Sequence, residues 1–138
     1  MTSVMLFRRS ASRISVEWRQ ALVENAASIE ELMIAVSAIN KGRAAITIES
    51  WFLELPDKFR LVLERPESWQ PKLPYRLEPK ASVKWHYPNE QVRRDLARHQ
   101  QAADTPLRAG VQWGSEAIYG QWPFLLADTE SGEATPIT

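Results

Sequence analysis

The chain has 138 residues, 44% of them hydrophobic and 25% charged, with seventeen bases balanced by seventeen acids. That length and balance suit one compact soluble domain with a core large enough to need no staple. With no cysteine and two histidines, a disulfide framework, a thiolate nucleophile and a Cys-based zinc site are excluded, and a His-based metal site has little to draw on.

Residues 1–16 are basic and serine-rich without an acid before Glu17, in the manner of a transit peptide. Their apolar run, Val4–Phe7, is too short for a signal-peptide core and precedes the arginines. The segment is read as part of the mature fold, a short strand or arm leading into a helix. Residues 14–26 are expected to form that helix, with Ile14, Trp18 and Leu22 at helical spacing. A second helix is expected from Ser28 to Gly42. Ser28 and Glu31 make a capping box, and Ile29, Leu32, Met33, Val36 and Ile39 make one stripe.

Residues 44–65 fit two patterns. As strands, Ile46 and Ile48 alternate with Thr47 and Glu49, and a turn at Pro56-Asp57-Lys58 joins two apolar runs. As helices, Thr47 caps Ile48, Trp51, Phe52 and Leu55, and Pro56 opens a second short helix. The helical reading is preferred for the Pro-Asp start and the clean i, i+3, i+4, i+7 set, with β-branched residues sparse. Over Leu55–Leu63, LPDKFRLVL, the chain resembles the helix that opens the DNA-binding region of some bacterial sigma factors. Prolines 66, 71 and 74 then stand where a helix-turn-helix has its second helix, so no function is carried over.

Prolines 66, 71, 74, 79 and 88 forbid a long helix between them. Tyr75–Glu78 and Ser82–Tyr87 alternate as short strands and are expected to pair as a hairpin across Pro79-Lys80-Ala81. A helix is expected from Asn89, as cap, to about Ala102, with Val92, Leu96 and His99 as its seam. Beyond Pro106, the residues from Val111 to Leu125 are too apolar for a free tail and are expected to dock on the domain. The predicted fold is a mostly helical α+β single domain, residues 1–127, with a short proline-bounded β-hairpin. Residues 128–138 read as a mobile acidic tail.

The stretch Trp69–Gln101 concentrates basic and aromatic side chains. Residues 69–98 hold seven bases and three acids. Arg93, Arg94 and Arg98 set guanidinium forks on adjacent helix faces, able to hold phosphate or carboxylate, or to pair with Glu90 and Asp95. Trp85 and Tyr87 could stack on unpaired bases. The candidate contact residues are therefore Arg76, Lys80, Lys84, Trp85, Tyr87, Arg93, Arg94 and Arg98. Most of the six tryptophans are expected in the core, with one or two as partner anchors. No phosphate loop, nucleophile motif or cofactor motif occurs. The expected function is that of a cytoplasmic, non-enzymatic adaptor or small subunit of a larger assembly, without cofactor. Its expected partner is a protein or a second copy, and no membrane. The alternative is a nucleic-acid-binding accessory protein using helix 89–102 and the preceding aromatic strand. A hydrolase or transferase without a visible motif is the third reading.

Overall fold

Ile14, Val16, Trp18 and Leu22 occupy alternate positions of an extended segment, not one stripe of a helix. A spacing of four residues belongs to both periods, and tertiary pairing decides between them. The computed structural model describes residues 13–24 and 30–127. The expected N-terminal arm, the cap at Ser28 and the acidic tail lie outside the described residues. In chain order the elements are β1 (Ile14–Glu24), β2 (Glu30–Asn40), β3 (Ile46–Ile48), β4 (Ser50–Glu54), β5 (Arg60–Leu61), β6 (Tyr75–Leu77), β7 (Ser82–Pro88), α1 (Asn89–Arg98), β8 (Arg108–Trp113) and β9 (Glu116–Tyr119).

The fold is mostly β, with three sheets and a single helix among the described residues, which corrects the mostly helical α+β expectation. The first sheet has the order β1-β2-β7, the second β5-β4-β8-β9, and β3 with β6 forms a ribbon; all pairings are antiparallel. The strands Tyr75–Leu77 and Ser82–Pro88 lie where the alternation predicts them but do not pair with each other. β6 pairs with β3, and β7 with β2. Residues 44–65 follow the strand pattern: β3 and β4, then a turn in which Lys58 has φ 77°, then β5. The sigma-factor likeness therefore falls on a turn and a strand.

The second expected helix is β2, the central strand of its sheet. Ile34, Val36 and Ala38 point into the core on one face, while Met33 and Ala35 are buried on the other. Burial on both faces gives a nearly continuous apolar run, which mimics a helix stripe. The two sheets meet through these residues, with Val83, Trp85 and Tyr87 of β7, Trp51 and Leu53 of β4, and Ala109 and Val111 of β8. Trp51 stacks on Trp85 at 6.0 Å and meets Tyr87 edge-on at 5.8 Å. Val92 and Leu96 of α1 are buried in the same core. The chain beyond Pro106 docks through Leu107, Phe124 and Leu126, with Trp18 stacked on Phe124 at 4.2 Å.

On the outer face of the second sheet, Phe52 is fully buried beneath polar side chains. The Arg60 guanidinium lies 4.0 Å above its ring, and Tyr119 meets it edge-on. Arg60 donates to the Tyr119 hydroxyl at 3.2 Å and to Gln112 Oε1, and pairs with Glu54 at 3.4 Å. Gly110 leaves room for the ring: a Cβ there would stand 2.6 Å from Phe52 Cε1. Arg60 and Tyr119 hold the ring in place, so it has little freedom to yield. Gly110→Ala is expected to cost about 1–3 kcal/mol in urea unfolding; an unchanged midpoint would show that the ring moves aside.

Candidate docking faces

The proline-rich segment between β5 and β6 turns at Glu67–Gln70 and meets the outer edge of β7 at His86. There the Gln70 side chain acts as a peptide group. Its Nε2 donates to the His86 carbonyl at 2.6 Å, and the His86 N–H donates to its Oε1 at 2.7 Å. The Trp85 indole N–H donates to the Pro71 carbonyl at 3.0 Å, tying the segment to the core. This strap leaves Trp69 about half exposed, in edge contact with His86 at 5.3 Å. Burial, and next the Lys84 charge, hold the His86 imidazole below the ordinary histidine pKa. Val62 and Leu73 are also exposed, and border a depression of about 470 Å³ floored by Trp51 and Trp85.

Helix α1 starts directly after β7. Pro88 stands at its N-cap without a side-chain cap, and Asn89 is buried in the first turn, one place beyond its expected role. Val92 and Leu96 form the seam. His99 is exposed at the C-cap, with its ring 4.0 Å from that of Phe59. Asp95 is buried and accepts hydrogen bonds from the Tyr87 hydroxyl and from Gln91 Nε2 at 3.0 Å. Arg98 approaches the same carboxylate at 3.6 Å. A polar cleft of about 360 Å³ between the helix and the residues after β5 is lined by Glu64, Arg65, Arg94 and Arg98 among others. Acids and bases thus share it.

The candidate residues separate into distinct groups. Trp85 and Tyr87 are buried, their rings packed in the core and their polar atoms bonded inside the protein. Arg76 is exposed on β6 and pairs with Glu78 at 2.7 Å. Lys80 is exposed in the following turn at φ 70°. Lys84 lines a depression on the outer face of the first sheet, beside Glu17 and Arg19. Arg93, Arg94 and Arg98 are exposed on α1. Only Arg94 and Arg98 share a cleft. Trp69, Leu73 and Val62 lie outside the candidate set, although Trp69 opens the stretch that contains it. Trp122 also lies outside it and is 67% exposed, whereas its neighbour Phe124 is buried. Nothing in the local sequence separates these two rings.

Comparison of the chain with protein-family models, curated proteins and solved structures returns no match. Among the described residues, no helix is long and apolar enough to cross a membrane.

Proposed function

We propose that the protein is a non-enzymatic interaction module, an adaptor or small subunit of a larger assembly, and that it works in the cytoplasm. The cysteine-free sequence fits a reducing compartment. The observation that carries the reading is the strap between β5 and β6. It presents Val62, Trp69 and Leu73 from a backbone already held by prolines and by Gln70. A pre-ordered segment loses little entropy on binding, and a half-exposed tryptophan is a favoured anchor. Lys72 borders the same depression, and Arg94 and Arg98 stand on the adjoining helix cleft. The partner that fits is a protein segment with an apolar side chain flanked by carboxylates.

The nucleic-acid reading has less support. Its stacking platform was to be Trp85 and Tyr87, and both are core residues. The exposed arginines of α1 are its remaining basis. Affinity purification of the full chain, followed by mass spectrometry, tests the two readings together. The expected result is one stoichiometric protein partner, lost from a Trp69→Ser, Leu73→Ser double variant and kept by Lys80→Ala. A partner that survives the double variant, or nucleic acid removable by nuclease and salt alone, would overturn the docking role of the strap.

A further inference from the structure

Five of the six tryptophans have a place in the fold. Trp18 stacks on Phe124, Trp51 stacks on Trp85, Trp69 meets His86 edge-on, and Trp113 packs against the core. Trp122 is 67% exposed and, among the described residues, its indole makes no ring contact and no hydrogen bond. Its backbone is nevertheless fixed on both sides. The Gly120 N–H donates to the Ala109 carbonyl at 2.7 Å, and Phe124 exchanges two backbone hydrogen bonds of 2.8 Å with Leu107. Pro123, between Trp122 and Phe124, restricts the chain further. The indole is thus held out to solvent on an ordered support. It borders a groove of about 520 Å³ between β1 and β9, the end strands of the two sheets, with Ile14, Val16 and Ile118 in its wall. Glu17, Lys41 and Gln121 stand on its rim. All three are exposed, and their side chains have no hydrogen bond or ion pair among the described residues.

We propose that this groove binds a neutral oligosaccharide, with one sugar ring laid on the Trp122 indole. An aromatic face is electron-rich and attracts the weakly positive C–H bonds on one side of a pyranose ring. The hydroxyls around the edge of that ring both donate and accept. The rim matches them: Glu17 accepts, Lys41 donates and Gln121 does either. One acid and one base leave the rim neutral, so nothing there draws an anion or a cation. Other occupants fit less well. An acyl chain would strip water from Glu17, Lys41 and Gln121 and return no hydrogen bond. A peptide strand cannot be added, because Gly120 closes on the outward Val16 carbonyl, with a Cβ at Gly120 only 3.5 Å from that oxygen. Nucleic acid would meet one lysine and one glutamate, with no gain from released counterions. The groove is a trough open to solvent, so it admits a chain of sugar rings. A ring already held in place loses little entropy on binding.

This site goes beyond the adaptor reading and shares no residue with the strap, so either can fail alone. A microarray of neutral and sulfated oligosaccharides, probed with the full chain, tests it. Neutral glycans should bind, with signals that persist at high salt. Trp122→Ala should lower the affinity for the bound glycan about tenfold or more, and Trp122→Tyr should recover part of the loss. Circular dichroism should be unchanged in both, since the indole lies outside the core. The Trp69→Ser, Leu73→Ser variant should bind as the wild type does. No neutral glycan bound, binding of sulfated glycans alone that salt abolishes, or binding that Trp122→Ala leaves intact would each overturn the proposal. A dimer broken by Trp122→Ala, with no glycan bound, would give the indole to a second copy of the chain instead.

Discussion

Trp85→Ala is expected to destabilise the fold by about 3–5 kcal/mol, read from urea or guanidinium unfolding. Trp85 is 1% exposed and stands where both sheets and the strap meet. Its ring stacks on Trp51 and meets Tyr75 edge-on at 6.1 Å, and its N–H holds the Pro71 carbonyl. Truncation removes the ring contacts, opens a cavity and leaves a carbonyl without its donor. Trp85→Phe should cost less, about 1–3 kcal/mol, since it keeps part of the ring contact and loses the hydrogen bond. Lys84→Ala next to it should stay within about 0.5 kcal/mol, as exposed positions do. A small loss for Trp85→Ala would mean that the strap and sheets do not depend on this ring.

The second large effect is expected at the Tyr87–Asp95 pair. The phenol donates to a buried carboxylate that has few other partners. Tyr87→Phe should cost about 1.5–3 kcal/mol, the range for a hydrogen bond to a charged group. The same pair sets an alkaline limit. Burial, and then the hydrogen bond to Asp95, raise the Tyr87 pKa far above its ordinary value. The unfolded chain releases this proton near pH 10 and the folded chain does not. Above about pH 10 the folded state therefore binds more protons, and stability falls as pH rises. Below that pH the contribution is fully present. Unfolding measured at about pH 8 and about pH 11 should show a drop in the wild type that Tyr87→Phe reduces. An equal drop in both would place the alkaline sensitivity elsewhere.

Local signals located helix α1 better than they located the sheets. Pro88-Asn89-Glu90 and the Val92–Leu96 seam place α1, because a helix is made by neighbours in sequence. The strands at Tyr75–Leu77 and Ser82–Pro88 show as short alternating runs between prolines. Their partners, β3 and β2, are set by tertiary packing that local sequence does not carry. Ile14, Trp18 and Leu22 satisfy either period, and β2 is apolar on both faces, so neither strand announces itself. At the candidate site, the exposure of the basic residues was legible. The contact role expected of Trp85 and Tyr87 overlooks that Val83 shares their face and that an alternating strand turns its apolar side to the core. The strap was not legible. Its role rests on the Gln70 amide reaching a strand sixteen residues away, a contact without a sequence pattern.

That amide also bears on how large an assembly can become. A sheet with two open edges can add copies without end and grow into a fibre. Here the β7 edge is occupied at His86 by the protein's own side chain. Gln70 thus acts as a terminator at that end of the first sheet.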